Sequence, residues 1–215
     1  PISAADRAFY AEQVRRERFD VDAEALRPYF ELERVLHDGV FYAADKLYGL
    51  RITERDDLPR YHPDTRIFDV FDESGQLGLF VFDPYARDSK QGGAWMNTFT
   101  EQSRLLGEQS VVLNTLNIAK PAEGLPTLLT LDNVTTLFHE FGHAVHGLFS
   151  DVTYPRFSGL AVPRDFVEFP SQVNEMWWDH PEVLPHYALH HETGEPIPAE
   201  VVAKLAAARR FGEGR

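Results

Sequence analysis

Cysteine is absent from this 215-residue sequence, so neither a disulfide framework nor a thiolate metal site can be built, and any metal must be held by His, Asp or Glu. Basic residues are scarce: 21 Lys and Arg stand against 34 Asp and Glu, a formal charge of −13, which argues against a polyanion-binding face and so against nucleic acid. Long apolar runs are missing too. LGLFVF at 77–82 is far too short to cross a bilayer, and no charged-then-apolar export signal is visible. A soluble cytoplasmic protein without membrane partners is the resulting expectation. What is present in quantity is a hydrophobic fraction of 43% and an aromatic fraction of 13%, enough for a sizeable core.

Periodicity divides the chain into three stretches, 1–60, 61–120 and 121–215. Ser3 to about Phe19 reads as a helix with Phe9, Tyr10 and Val14 on one side. A second helix is predicted from Pro28, repeating Tyr29, Leu32, Leu36, Val40, Ala43 and Leu47 before Gly49. From Arg66 the period changes. RIFDVFD, the turn ESGQ and LGLFVFD read as a hairpin, with GGAWMNTF and VVLNTLN as two further strands, predicting a small, largely antiparallel sheet in a mainly α fold. Gly92 and Gly93 could admit another backbone or simply form a flexible turn. Helical patterns follow at 132–150, 165–180 and 198–211, the first with Asp132 as its cap. The ends, PISAAD just before a helical pattern and FGEGR just after one, suggest a piece of something longer.

FHEFGHAVHGLF at 138–149 concentrates three histidines and a glutamate on a helix whose other residues are mostly apolar. Such groups are costly to bury without a partner. His139 and His143, four apart, stack on one side of a helix where both can reach one tetrahedral cation, and Glu140 completes H-E-x-x-H as a base for water. A third histidine ligand is excluded, because His146 stands where that version of the motif needs glycine and Phe149 where it needs histidine. A glutamate from a later helix remains. Asp165, Glu168, Gln172 and Glu175 form a polar stripe between apolar residues. Glu168 and Glu175 both stay open as ligands, although Asp165-x-x-Glu168 also has the spacing of a capping box. His146 shares the face of His139 and His143, either behind the ligands or in packing.

FHEFGHAVHGLF followed by SGLAVPRDFVEFPSQVNEMW resembles the thimet oligopeptidase family of zinc metallopeptidases, and RDFVEFPSQ is most similar to its bacterial peptidyl-dipeptidase branch. YFELERVLHDGVFYAADKLYGL, YHPDTRIFDVFD and ARDSKQGGAWMNTFTEQS are similar to that branch as well, so the resemblance covers essentially the whole chain. It implies a partial catalytic domain of zincin-like type: packing helices at 1–60, a sheet with a substrate-side strand at 61–120 and zinc-binding helices at 121–215. It implies one Zn2+ per chain on His139, His143 and Glu168, with Glu140 catalytic. By position GGAWMN resembles the family's strand that pairs with substrate backbone, which points to Gly93, Ala94 and Trp95. Apart from the resemblance, His146 and Glu175 are candidates for places behind the ligands, with packing the alternative for His146. Family members are longer and carry a His- and Tyr-rich segment for substrate and oxyanion, which nothing after Glu168 matches. The expected function is zinc-dependent hydrolysis of short peptides, releasing C-terminal dipeptides in the intact protein. Oligopeptide endopeptidase action, or metal binding without catalysis, are the alternatives.

Overall fold

RIFDVFD and GQLGLFVFDPY are buried at successive positions, so both faces of these strands are covered: Phe68, Val70, Phe80 and Phe82 join the core shared with the helices, while Ile67 and Val81 line a pocket with Leu58, Tyr61 and Phe99 on the opposite face. The computed structural model describes residues 23–209 together with Asp6, Phe9, Tyr10, Gln13 and Val14. The helix expected over Ser3–Phe19 falls mostly outside these residues, though Phe9, Tyr10, Gln13 and Val14 are helical.

The sheet has five strands, β1 (Arg51–Arg55), β2 (Arg66–Asp72), β3 (Gly75–Tyr85), β4 (Trp95–Thr100) and β5 (Ser110–Ile118), in the order β1-β2-β3-β5-β4. Three pairings are antiparallel, but β5 runs parallel to β3 and lies between β3 and β4, so the sheet is mixed. The expected sheet is thus largely but not purely antiparallel, and β4, which precedes β5 in the chain, lies at the edge. β1 is also unexpected, since RITER is half exposed and lacks an apolar face to announce a strand.

A short helix α1 (Ala23–Leu26) leads to a 3₁₀ turn at Arg27–Tyr29 that contains Pro28. The helix predicted from Pro28 starts later, because Phe30 leaves helical geometry and Glu31 provides the cap by accepting from the Arg34 amide at 3.1 Å. That helix, α2, runs through Leu32–Arg34, wider π turns at Val35–Phe41 and a last α-helical stretch at Tyr42–Tyr48, ending at Gly49. Helix α3 (Leu131–Leu148) is capped by Thr130, not Asp132. Thr130 and Asn133 satisfy one another's amides in a capping box. The helical pattern at 165–180 yields only α4 (Phe169–Glu175), with Pro170 in its first turn, where a missing N–H costs nothing. Two more helices follow, α5 (Leu184–Tyr187) and α6 (Ala199–Arg209).

Aromatic side chains join these layers. Phe41 of α2 meets Phe68 of β2 at 5.2 Å, and Phe80 of β3 meets Phe141 of α3 edge-to-face, also at 5.2 Å. Ser110 Oγ donates to the Gly147 carbonyl at 2.8 Å, tying β5 to the end of α3. Helix α3 is thereby fixed against the sheet on one side, and α4 packs across its other side. Among the described residues no helix is long and apolar enough to cross a membrane.

Candidate metal centre

The approach of α4 to α3 is set by Gly142. A Cβ there would lie 2.7 Å from both Asn174 Cβ and Ser171 Cα, so only glycine lets the two backbones come this close. Asn174, buried, donates from Nδ2 to the Phe138 carbonyl at 2.5 Å and locks the contact. Phe138 immediately precedes His139, so this bond registers α4 against the turn that carries the histidines.

His139, His143 and Glu168 meet across this contact, their nearest donor atoms all within 4.8 Å of one another. Glu168 Oε2 lies 3.3 Å from His139 Nε2 and 3.1 Å from His143 Nε2, with the carboxylate half exposed. The helix begins only at Phe169 with Glu168 itself at the N-cap position, so Asp165 does not stand at a helix cap and the capping box considered for Asp165 and Glu168 does not form. Ser171 Oγ contacts both the Glu168 carbonyl, at 2.8 Å, and its Oε2, at 3.0 Å.

Glu175 approaches the other nitrogen of the first histidine, with its Oε1 2.5 Å from His139 Nδ1. Of the two glutamates left open by spacing, Glu168 therefore faces the convergent Nε2 atoms and Glu175 stands behind one ring. His146 is outside the group. Its Nδ1 is buried with no hydrogen-bond partner, and its ring lies edge-on to Phe166, with centroids 6.1 Å apart. Gly93, Ala94 and Trp95 lie at the start of β4, which packs on α3; they do not join the His–His–Glu group. The polar stripe is only partly inward, since Asp165 and Gln172 are exposed while Ser171 and Asn174 are buried. Those two went unread in the sequence, although Ser171 stands at i+3 from Glu168 and Asn174 three further on, the spacing of one helix face.

Burial pushes the Glu140 carboxyl up to about 7, with the Glu168 carboxylate adding to the rise and His139 opposing it. Glu140 Oε2 is buried without a hydrogen-bond partner. Burial also moves His143 below its ordinary value, against the pull of Glu168, and so favours the neutral imidazole that metal ligation requires. Two imidazole Nε2 atoms and one carboxylate oxygen converging, with no thiolate available, make a donor set that fits a divalent cation of the zinc type.

The profile of Peptidase family M3 matches residues 2–215. The chain belongs to peptidase family M3. It is 53% identical over 210 residues to a dipeptidyl carboxypeptidase of Escherichia coli (strain K12), covering 97% of this chain and 31% of that protein. It is 40% identical over 211 residues to oligopeptidase A of the same organism, covering 96% of this chain and 31% of the relative. An organellar oligopeptidase A of Arabidopsis thaliana is 39% identical over 219 residues, covering 97% of this chain and 28% of the relative. The chain thus spans about a third of the length of these family M3 relatives.

Proposed function

We propose that this chain carries the metal-binding and proton-transfer part of a zinc-dependent peptidase that acts on short peptides and, in the longer protein, releases dipeptides from the C-terminus. The observation that carries the reading is the convergence of His139 Nε2, His143 Nε2 and Glu168 Oε2 beside the buried carboxyl of Glu140. Membership of a peptidase family and 53% identity to a dipeptidyl carboxypeptidase support this choice of substrate class.

His139, His143 and Glu168 would hold one Zn2+ per chain. Bound there, zinc would supply Lewis-acid polarisation of a peptide carbonyl and lower the pKa of water. The remaining work falls to the chain's own groups. Glu140, adjacent to His139 and buried, accepts the proton of the attacking water on its carboxylate and returns it to the departing amine; an acid with a pKa near neutrality does both at neutral pH. Glu175 orients the His139 ring through Nδ1, leaving Nε2 for the metal. The edge strand β4, beginning at Gly93–Trp95, receives the extended peptide backbone. A cytoplasmic location belongs to the same reading.

A second reading, metal binding without catalysis, is favoured by the chain's spanning only about 31% of its relatives' length. Zinc analysis of the purified chain beside His139→Ala and Glu168→Ala tests the site, and cleavage of a quenched short peptide beside Glu140→Gln tests the chemistry. One zinc in the parent and none in the ligand variants is expected, with cleavage lost in Glu140→Gln. Stoichiometric zinc in both ligand variants would refute the site, and equal cleavage by parent and Glu140→Gln would leave binding alone.

A further inference from the structure

The loop between β3 and β4 is held by buried charge that the chemistry above does not use. Lys90 has only 4% of its side chain exposed and Asp83 only 2%. Lys90 Nζ donates to Asp83 Oδ1 at 3.2 Å, to the Asp83 and Tyr85 carbonyls at 3.0 and 2.8 Å, and to the Leu116 carbonyl. Since Asp83 and Tyr85 belong to β3 and Leu116 to β5, one ammonium joins the ends of the two parallel strands. Arg87 closes on both oxygens of Asp83 at 2.7 Å, and Tyr61 donates to Oδ2 at 2.7 Å. A buried ion pair contributes little net stability over an apolar pair of the same volume, and its best-attested use is to fix one arrangement.

The arrangement fixed here is the start of β4. From its place near the end of β5, Asn117 donates through Nδ2 to two carbonyls of the same loop, Gln91 at 2.6 Å and Gly93 at 2.7 Å. Gly93 has φ +93°, a left-handed conformation unfavourable for any residue with a Cβ, and no atom lies within 4 Å of where such a Cβ would point. Two residues later Trp95 opens β4 opposite Thr115. Asn117 thus ties the residues that lead into β4 to β5, while Lys90 ties the preceding part of the loop to the ends of β3 and β5. Main-chain pairing along a strand demands register, so a loose start to β4 would be felt along the whole edge.

We propose that Asn117 is a positioning residue for peptide binding, holding the Gln91 and Gly93 carbonyls so that the edge of β4 is pre-set for an extended peptide. This rests on the peptidase reading above. Asn117 can be changed without uncovering a buried charge, so the test is made there, in a Glu140→Gln background with zinc present and a fluorescent short peptide with a free C-terminus as the probe. Asn117→Ala should weaken peptide binding about tenfold, as expected for the loss of roughly one hydrogen bond's net worth in ordering the loop. It should also quicken amide exchange over residues 93–98, leaving zinc stoichiometry unchanged. Asn117→Asp keeps the volume but has no donor, and it should match Asn117→Ala. Peptide affinity equal to the parent in both variants overturns the proposal, as does rescue by Asn117→Asp, which would show a packing role only. A Glu140→Gln chain with Asn117 intact that binds no peptide removes the peptidase reading itself, and is distinguished because the silence is in the unmodified loop.

Discussion

The two nitrogens of His139 face two different glutamates: Nδ1 lies 2.5 Å from Glu175 Oε1 and Nε2 lies 3.3 Å from Glu168 Oε2. A carboxylate on Nδ1 fixes the tautomer and the ring plane and makes Nε2 the better donor. Glu175→Gln should weaken zinc binding by about 10- to 100-fold, read by competition with a chelator, while the fold is kept. Unchanged affinity would mean that the ring is oriented by packing alone.

Glu140 is placed to move a proton rather than to hold metal. Glu140→Gln should retain one zinc and reduce peptide hydrolysis by at least about 100-fold, the usual scale for losing a positioned acid–base group. Loss of zinc in that variant would make Glu140 a ligand and contradict the assignment.

Gly142 controls how near α4 comes to α3. Because the neighbours of an added Cβ include Ser171 Cα, and the Pro170 carbonyl at 3.0 Å, relief requires the helices to part. Gly142→Ala should cost about 1–3 kcal/mol in urea unfolding and weaken zinc binding as Glu168 is drawn away from the histidines. Destabilisation with zinc affinity intact would show that the site does not depend on this spacing.

Asp83 lends itself to a pH test. Burial alone would raise its carboxyl, but Arg87, Tyr61 and Lys90 outweigh burial and hold it below its ordinary value. A carboxylate whose pKa is lower folded than unfolded stabilises the protein above the unfolded value, near 3.9, and that contribution is lost as the pH falls through the folded value. Asp83→Asn should cost about 3–5 kcal/mol at pH 7, because it strips the countercharge from a buried lysine. The gap between parent and variant in urea midpoints should narrow on acidification below about pH 4. A gap that widens there has the wrong sign.

Periodicity made some parts of this structure readable. The β2–β3 hairpin and the body of α3 follow from alternation and from a broad apolar face, both local signals. The insertion of β5 between β3 and β4 was hidden, since a strand's pattern reports which face is buried and nothing about its neighbours. RITER escaped notice because a half-exposed edge strand needs no apolar alternation. Pro170 carried a signal that the helical reading of 165–180 overrode: a proline tolerated only in a first turn places the helix start beside it. For the candidate site, the four-residue step from His139 to His143 was legible, whereas Glu168 and Glu175 share one stripe. Their division between the two nitrogens of one ring depends on the crossing of α3 and α4, which no single helix encodes.

Because β4 reaches the sheet only by way of β5, its attachment is serial. Among the described strands β4 is hydrogen-bonded to β5 alone, so β4 can peel from the ladder with β5 still in place. The amides of β4 should accordingly never outlast those of β5 in native-state hydrogen exchange. The edge strand β4 is thus the outermost link of a ladder that begins at the β2–β3 hairpin.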